Sequence, residues 1–114
     1  MQAGYIIVDM NISDMAQYQQ YMAVAPAAVA SAGGEYLVRG GRFETLEGQW
    51  QPSRLAMLKF PSFEKAQAFY DGELYRAARE KRAGSTEFFN MFWLKVSLSR
   101  PETAFSSSTS PALP

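Results

Sequence analysis

The sequence predicts an α+β fold in which an antiparallel sheet carries helices on one face. Four runs rich in β-branched and aromatic residues indicate strands. Stretches with apolar residues every three or four positions indicate helices. These elements alternate along the 114-residue chain in the order β-α-β-β-α-β, which is the ferredoxin-like arrangement.

The first half of this pattern begins with a strand over residues 5–12. Asp14 then provides an N-cap for the first helix, with Gln17 as its capping-box partner. Pro26 is expected to kink this helix or to divide it in two, and two glycines end it at residues 33–34.

The second strand begins at residue 36, and its end depends on the pair Gly40-Gly41. The pair forms either a hairpin turn or a bulge within one longer strand that ends near Leu46. The bulge is favoured because it keeps the strand count even and leaves the following loop, residues 47–53, intact.

The second half repeats the pattern, with strands over residues 55–60 and 86–96. Ser62 caps the intervening helix, which Asp71-Gly72 divides from a short helix over residues 73–83. The pattern of elements thus predicts one domain over residues 1–96. The Ser- and Pro-rich tail over residues 97–114 is expected to be disordered.

The strands predict a homodimer because both of their faces are apolar. In the last strand, Phe88, Phe92 and Leu94 lie on one face, whereas Phe89 and Met91 lie on the other. Helices cover only one face, and a bare apolar face of this size favours a second copy packed sheet to sheet. The alternative is a monomer whose loop and tail fold over the sheet, but the tail is too polar for that role.

Composition excludes several classes of function. The chain has no His and no Cys, and eleven basic residues balance eleven acidic ones. Disulfides, thiol nucleophiles and His- or thiolate-built metal sites are therefore excluded, and no metal or cofactor is expected. The zero net charge argues against nucleic-acid binding. Without a signal-peptide pattern or a membrane-spanning stretch, the expected location is the cytoplasm, with no membrane contact.

Any catalysis must therefore use carboxylate, Arg, Tyr, Asn or backbone groups. Asp9 stands out because it lies in the middle of an apolar central strand, where a carboxylate is costly unless paired. It is either a general base or half of a structural ion pair. Arg39 is its natural partner, and its fork could instead hold Glu44 or a ligand carboxylate.

Three further residues are candidates for ligand binding. Tyr18 could line an aromatic pocket, although aromatic residues at helical spacing usually belong to the core. Trp50 lies in a polar loop and is interpreted as a lid or a dimer contact. Asn90 interrupts the most aromatic strand, where it orients a substrate or, preferably, hydrogen-bonds the backbone.

Four segments stand out for their order along the chain: GYIIVD at 4–9, YLVRGG at 36–41, LEGQW at 46–50 and FPSFEKA at 60–66. Together they resemble the bacterial family called domain of unknown function 1330, and the resemblance covers about residues 3–95. The resemblance implies a branch of the dimeric α/β-barrel superfamily, in which two ferredoxin-like sheets form a barrel. That superfamily includes cofactor-independent monooxygenases, muconolactone-type isomerases and haem-binding enzymes, but the family itself has no established activity.

Three functions are therefore weighed. The first is a homodimer that binds or converts a small apolar or aromatic metabolite without a cofactor, with Asp9 as base or orienter and Arg39 steering an anionic group. The second is a non-catalytic dimerisation module in which the two residues form a structural pair. The third is a protein-binding module that uses the tail.

Overall fold

The structure is a computed structural model that describes residues 2–50 and 53–96. Its strands form one antiparallel sheet in the order β2-β3-β1-β4, so β1 is central and β2 and β4 are the edges. The α+β class, the element order and the division of the second helix agree with the prediction. The elements are β1 (Gly4–Ile12), α1 (Met15–Ser31), β2 (Glu35–Arg39), β3 (Arg54–Phe60), α2 (Phe63–Asp71), α3 (Glu73–Arg82) and β4 (Thr86–Lys95).

The two faces of the sheet differ in what covers them. The helices pack on the face that carries Ile6 and Val8, and these side chains form the core with residues of α1, α2 and α3. The opposite face, which we call the open face, carries the alternate residues. In the register of the sheet, Asp9 of β1 lies opposite Leu55 of β3 and Asn90 of β4. The predicted division of the strand residues between two faces is confirmed.

Helix α1 begins as predicted but continues further. Asp14 caps it, because its Oδ1 accepts a hydrogen bond from the backbone N–H of Gln17 at 3.1 Å. The predicted capping box is wrong, since the Gln17 side chain instead donates to the carbonyls of Lys81 and Ala83 at the end of α3. The division at Pro26 is also wrong, and α1 runs through this residue. Alanines are the strongest helix formers, and Ala25 and Ala28 near Pro26 are packed in the core.

Strand β2 is shorter than predicted. It ends at Arg39, so the favoured bulge at Gly40-Gly41 within a longer strand is wrong. Both glycines have positive φ, at 75° and 96°, and turn the chain away from the sheet. The irregularity lies earlier, between Tyr36 and Val38.

Helices α2 and α3 complete the layer on the covered face. Ser62 caps α2 by accepting a hydrogen bond from the backbone N–H of Lys65, as predicted. On α3, Arg79 and Arg82 lie over aromatic rings, with the Arg82 Cζ 3.5 Å from the centre of the Phe89 ring. These contacts tie the C-terminal half of α3 to the aromatic core residues.

None of the helices among the described residues has the length and apolarity to cross a membrane. The predicted tail, residues 97–114, lies outside the described residues.

Candidate functional site

A cavity of about 40 Å³ lies between α1 and the covered face of the sheet. Most of its lining is apolar or aromatic and comes from α1, β1, β3 and β4. Only two of the described lining residues carry a charge, and both are arginines, Arg39 and Arg54. The lining comprises Val8, Met10, Tyr18, Tyr21, Met22, Ala25, Val29, Tyr36, Arg39, Arg54, Ala56, Leu58, Phe69, Phe89 and Met91.

Arg39 reaches this cavity because of the irregularity in β2. Strict alternation from Tyr36 would put Arg39 on the open face, but the register shift places it opposite Ala56, whose side chain faces the helices. Its guanidinium lies over the ring of Tyr36, with 4.7 Å from Cζ to the ring centre. Arg39 is exposed, so it stands at the mouth of the cavity.

Arg54 begins β3, where it lies opposite Met10 on the covered face. Its guanidinium packs against Gly40, since a Cβ at that glycine would lie 3.0 Å from the Arg54 Cζ. Within residues 2–50 and 53–96, the ion pair is between Arg42 and Glu44, at 3.0 Å, and neither cavity arginine pairs with a carboxylate. The cavity therefore carries uncompensated positive charge.

Three tyrosines bring hydroxyl groups to the cavity. The Tyr18 hydroxyl donates to the Met10 sulfur at 2.9 Å, and the hydroxyls of Tyr21 and Tyr75 are hydrogen-bonded at 2.7 Å. Burial raises the pKa of Tyr18 to about 12, although Arg82 and Arg54 act in the opposite direction. Burial also raises the pKa of Tyr21 and Tyr36. These hydroxyls stay protonated at neutral pH, so they can donate hydrogen bonds but do not act as bases.

The other predicted site residues lie on the open face. The indole Nε1 of Trp50 donates to Asp9 Oδ2 at 2.9 Å, and Asp9 Oδ1 is buried without a hydrogen-bond partner. Asn90 lies beside Asp9 on β4, and its side chain makes no hydrogen bond to the described residues. The preferred interpretation of Asn90, a hydrogen bond to the backbone, stays a prediction, since no such bond forms among the described residues of a single chain.

The structure thus separates the predicted residues into two groups. Tyr18 and Arg39 line the cavity, whereas Asp9, Trp50 and Asn90 gather on the opposite side of the sheet. The predicted pair of Asp9 with Arg39 does not form, because the sheet lies between their side chains. Its alternative, Arg39 with Glu44, does not form either, since Glu44 pairs with Arg42.

Arg54 was missed, although the sequence contains a signal for it. It precedes Ala56, Leu58 and Phe60 at the same two-residue spacing, so alternation places it on the covered face with them. Among the described residues, no group of three or more Asp or Glu side chains could hold a metal ion.

Comparison with known proteins shows the family. The sequence-family model of a domain of unknown function, DUF1330, matches residues 3–95 of the chain. The chain belongs to this DUF1330 family. No curated protein matches the sequence.

Solved structures show that the DUF1330 chain shares a ferredoxin-like fold. A protein of unknown function from Rhodopseudomonas palustris matches with a TM-score of 0.69 and 14% identity, over 86% of this chain and 85% of that one. A dimeric ferredoxin-like protein of unknown function from Jannaschia sp. CCS1 matches with a TM-score of 0.62 and 16% identity, over 82% and 99%. A proposed antibiotic biosynthesis monooxygenase from Caulobacter crescentus CB15 matches with a TM-score of 0.54 and 11% identity, over 85% and 92%.

Proposed function

We propose that this DUF1330 protein is a homodimer that binds a small apolar or aromatic carboxylate in the cavity between α1 and the sheet. The dimer is supported by the open face, where β4 leaves Phe88, Phe92 and Leu94 exposed by 37%, 52% and 45%. Apolar side chains left in water forgo the free energy that burial would release. The Jannaschia protein of similar fold is itself dimeric, which supports the same assembly here.

The positive charge of the cavity is the observation that supports a carboxylate ligand. Arg39 and Arg54 are the charged residues of its described lining, and neither has a carboxylate partner. Guanidinium groups bind carboxylates through paired hydrogen bonds, and the apolar lining suits the rest of such a ligand. The protonated Tyr36 hydroxyl adds a hydrogen-bond donor near Arg39.

A ligand needs more room than the cavity offers in this structure. Its volume is about 40 Å³, whereas a protein cavity that holds benzene measures about 150 Å³. The lining from edge strand β2, which includes Tyr36 and Arg39, is partly or fully exposed. Arg39 is exposed, and Tyr36 packs only at the edge of the core. We propose that ligand entry displaces both side chains outward.

Asp9 has no part in this binding site, because it lies on the other face of the sheet. The predicted mechanism, with Asp9 as base and Arg39 steering an anion, needs both residues in one site. The proposal therefore assigns Arg39 to binding and leaves the role of Asp9 to the dimer interface.

The second candidate is a dimerisation module without a ligand. The small cavity volume favours it, since a cavity of this size holds a few water molecules at most. The two candidates differ in the response to small carboxylates, because a module without a ligand site binds none.

The test is a binding experiment with matched probes. Benzoate and phenylacetate should raise the melting temperature of the protein, whereas benzyl alcohol, which lacks the charge, should not. Arg39→Gln and Arg54→Gln should each weaken carboxylate binding at least tenfold, as expected for loss of a charged hydrogen bond. Arg42→Gln is the control, since Arg42 is exposed and pairs with Glu44 away from the cavity. No response to either carboxylate would favour the module instead. Equal weakening by Arg42→Gln would show that the carboxylate binds outside the cavity and would overturn the proposed site.

A further inference from the structure

The segment between β2 and β3 exposes apolar side chains that residues 2–50 and 53–96 leave uncovered. We call residues 40–50 the arm. It contains no helix or strand, yet Leu46 is 94% exposed, Trp50 55% and Phe43 37%. Clustered exposed apolar side chains mark interaction surfaces.

The arm is held at a definite position on the open face. The Trp50 indole donates to Asp9 on β1, and the Thr45 hydroxyl donates to the Trp50 carbonyl at 2.5 Å. A hollow of about 280 Å³ lies between the arm and Leu55 of β3, and Phe43, Leu46 and Trp50 form its apolar walls. The arm therefore stands at the level of Asp9 along the strands, at the β2–β3 side of the sheet.

The order of the strands limits how two open faces can meet. Sheets packed face to face keep their strands within about 30° of each other in the aligned class. A two-fold axis parallel to the strands places the β2 edge of one copy against the β4 edge of the other, and residues at the same height along the strands face each other. A two-fold axis perpendicular to the strands, in the plane between the sheets, places each edge against the same edge of the other copy. The top of one sheet then faces the bottom of the other.

The arm favours the axis along the strands. With an axis across the strands, both arms lie at the same edge, where they hold the sheets apart, and Phe88 and Phe92 stay uncovered at the other edge. With an axis along the strands, one arm lies at each edge, and the sheets pack evenly. Each arm then meets β4 of the other copy at the level of Asp9, which is the level of Asn90.

We propose that the arm of each copy packs on β4 of a second copy of this chain, next to Asn90 and Phe88. This inference rests on the proposed dimer and deepens it. The exposed arm residues then pack on an apolar surface. The side chain of Asn90, which makes no hydrogen bond to the described residues of its own chain, gains backbone hydrogen-bond partners from the arm. The three open-face residues Asp9, Trp50 and Asn90 then belong to one interface built from both copies.

Disulfide trapping tests the arrangement directly, because the chain has no cysteine of its own. Leu46→Cys and Asn90→Cys chains are co-expressed and oxidised, and a cross-linked heterodimer is expected. Leu46→Cys with Leu94→Cys is the matched control. Leu94 shares the open face of β4 with Asn90 but pairs with Tyr5, about 14 Å away along the strand. Disulfides need Cα atoms within about 7 Å, so the control should yield at least tenfold less cross-link.

The outcomes separate the arm placement from the dimer. A dimer that cross-links through Phe88→Cys with Leu94→Cys, and not through Leu46 with Asn90, has its axis across the strands and overturns the inference while the dimer stands. A monomer in sedimentation overturns both. As a second measurement, Leu46→Ser should weaken the dimer at least tenfold with an unchanged circular dichroism spectrum. Leu74→Ser, an equally conservative change at an exposed site on α3, should leave dimerisation unchanged.

Discussion

Phe92 on β4 should contribute strongly to dimer formation. It is 52% exposed in the single chain, and a Phe side chain buries about 150–250 Å². About 100 Å² therefore remains for the partner to cover, which corresponds to about 2.5 kcal/mol at about 25 cal/mol per Å². The two-fold dimer buries the Phe92 side chain of both copies. Phe92→Ala should therefore reduce the free energy of dimerisation by about 5 kcal/mol per dimer. The dissociation constant should then rise by a factor of about 10³–10⁴.

Sedimentation equilibrium over a range of protein concentrations measures this change. The chain also offers a matched pair of leucines, since Leu94 on the open face is 45% exposed and Leu74 on α3 is 58% exposed. Leu94→Ala should weaken the dimer and Leu74→Ala should not, although both remove the same atoms. Equal dissociation constants for Phe92→Ala, Leu94→Ala and the unmodified chain would refute the assignment of the open face as the interface.

Three further predictions concern stability. Because the pKa of Tyr18 is about 12 in the fold and 10.0 ordinarily, the unfolded state loses this proton first as the pH rises. Urea unfolding should therefore show the free energy of unfolding falling between about pH 10 and 12, by about 3 kcal/mol from Tyr18. Tyr18→Phe should flatten that fall, and an unchanged slope would contradict the burial argument. Trp50→Phe should lower the free energy of unfolding by about 1–2 kcal/mol, because Asp9 loses its hydrogen-bond donor; an equal loss in an Asp9→Ala background, which has no side-chain acceptor, would show that the bond does not matter. Gly4→Ala should lower the free energy of unfolding by about 1–3 kcal/mol or more in the same urea assay, since the added Cβ would lie 2.6 Å from the Ser62 carbonyl oxygen. A variant as stable as the unmodified chain would exclude this close packing.

Alternation of side chains allowed much of the fold to be predicted. Successive side chains of a strand point to opposite faces, so the residues of each face of β1, β3 and β4, and the central place of Asp9, followed from the assignment of the strands. The caps at Asp14 and Ser62 were also predictable. A short polar side chain just before a helical run accepts a hydrogen bond from a backbone N–H of the first turn, and this contact depends only on neighbouring residues.

The site was less predictable, because one irregular residue pair reverses a face. The shift between Tyr36 and Val38 moves Arg39 from the side of Asp9 to the side of the helices, and no local residue type signals that shift. The contact of Trp50 with Asp9 joins residues 41 positions apart, which spacing rules do not reach. The hydrogen bonds from Gln17 to α3 were missed for the same reason, since a local capping rule competes with a tertiary contact.

The mass of the intact protein in solution tests the central claim most directly. The chain has a mass of 12.7 kDa, and sedimentation equilibrium at micromolar concentration should give about twice that value, because two open faces cover each other. A mass of 12.7 kDa across the whole concentration range would contradict the account, since the exposed side chains of β4 would then need no second copy.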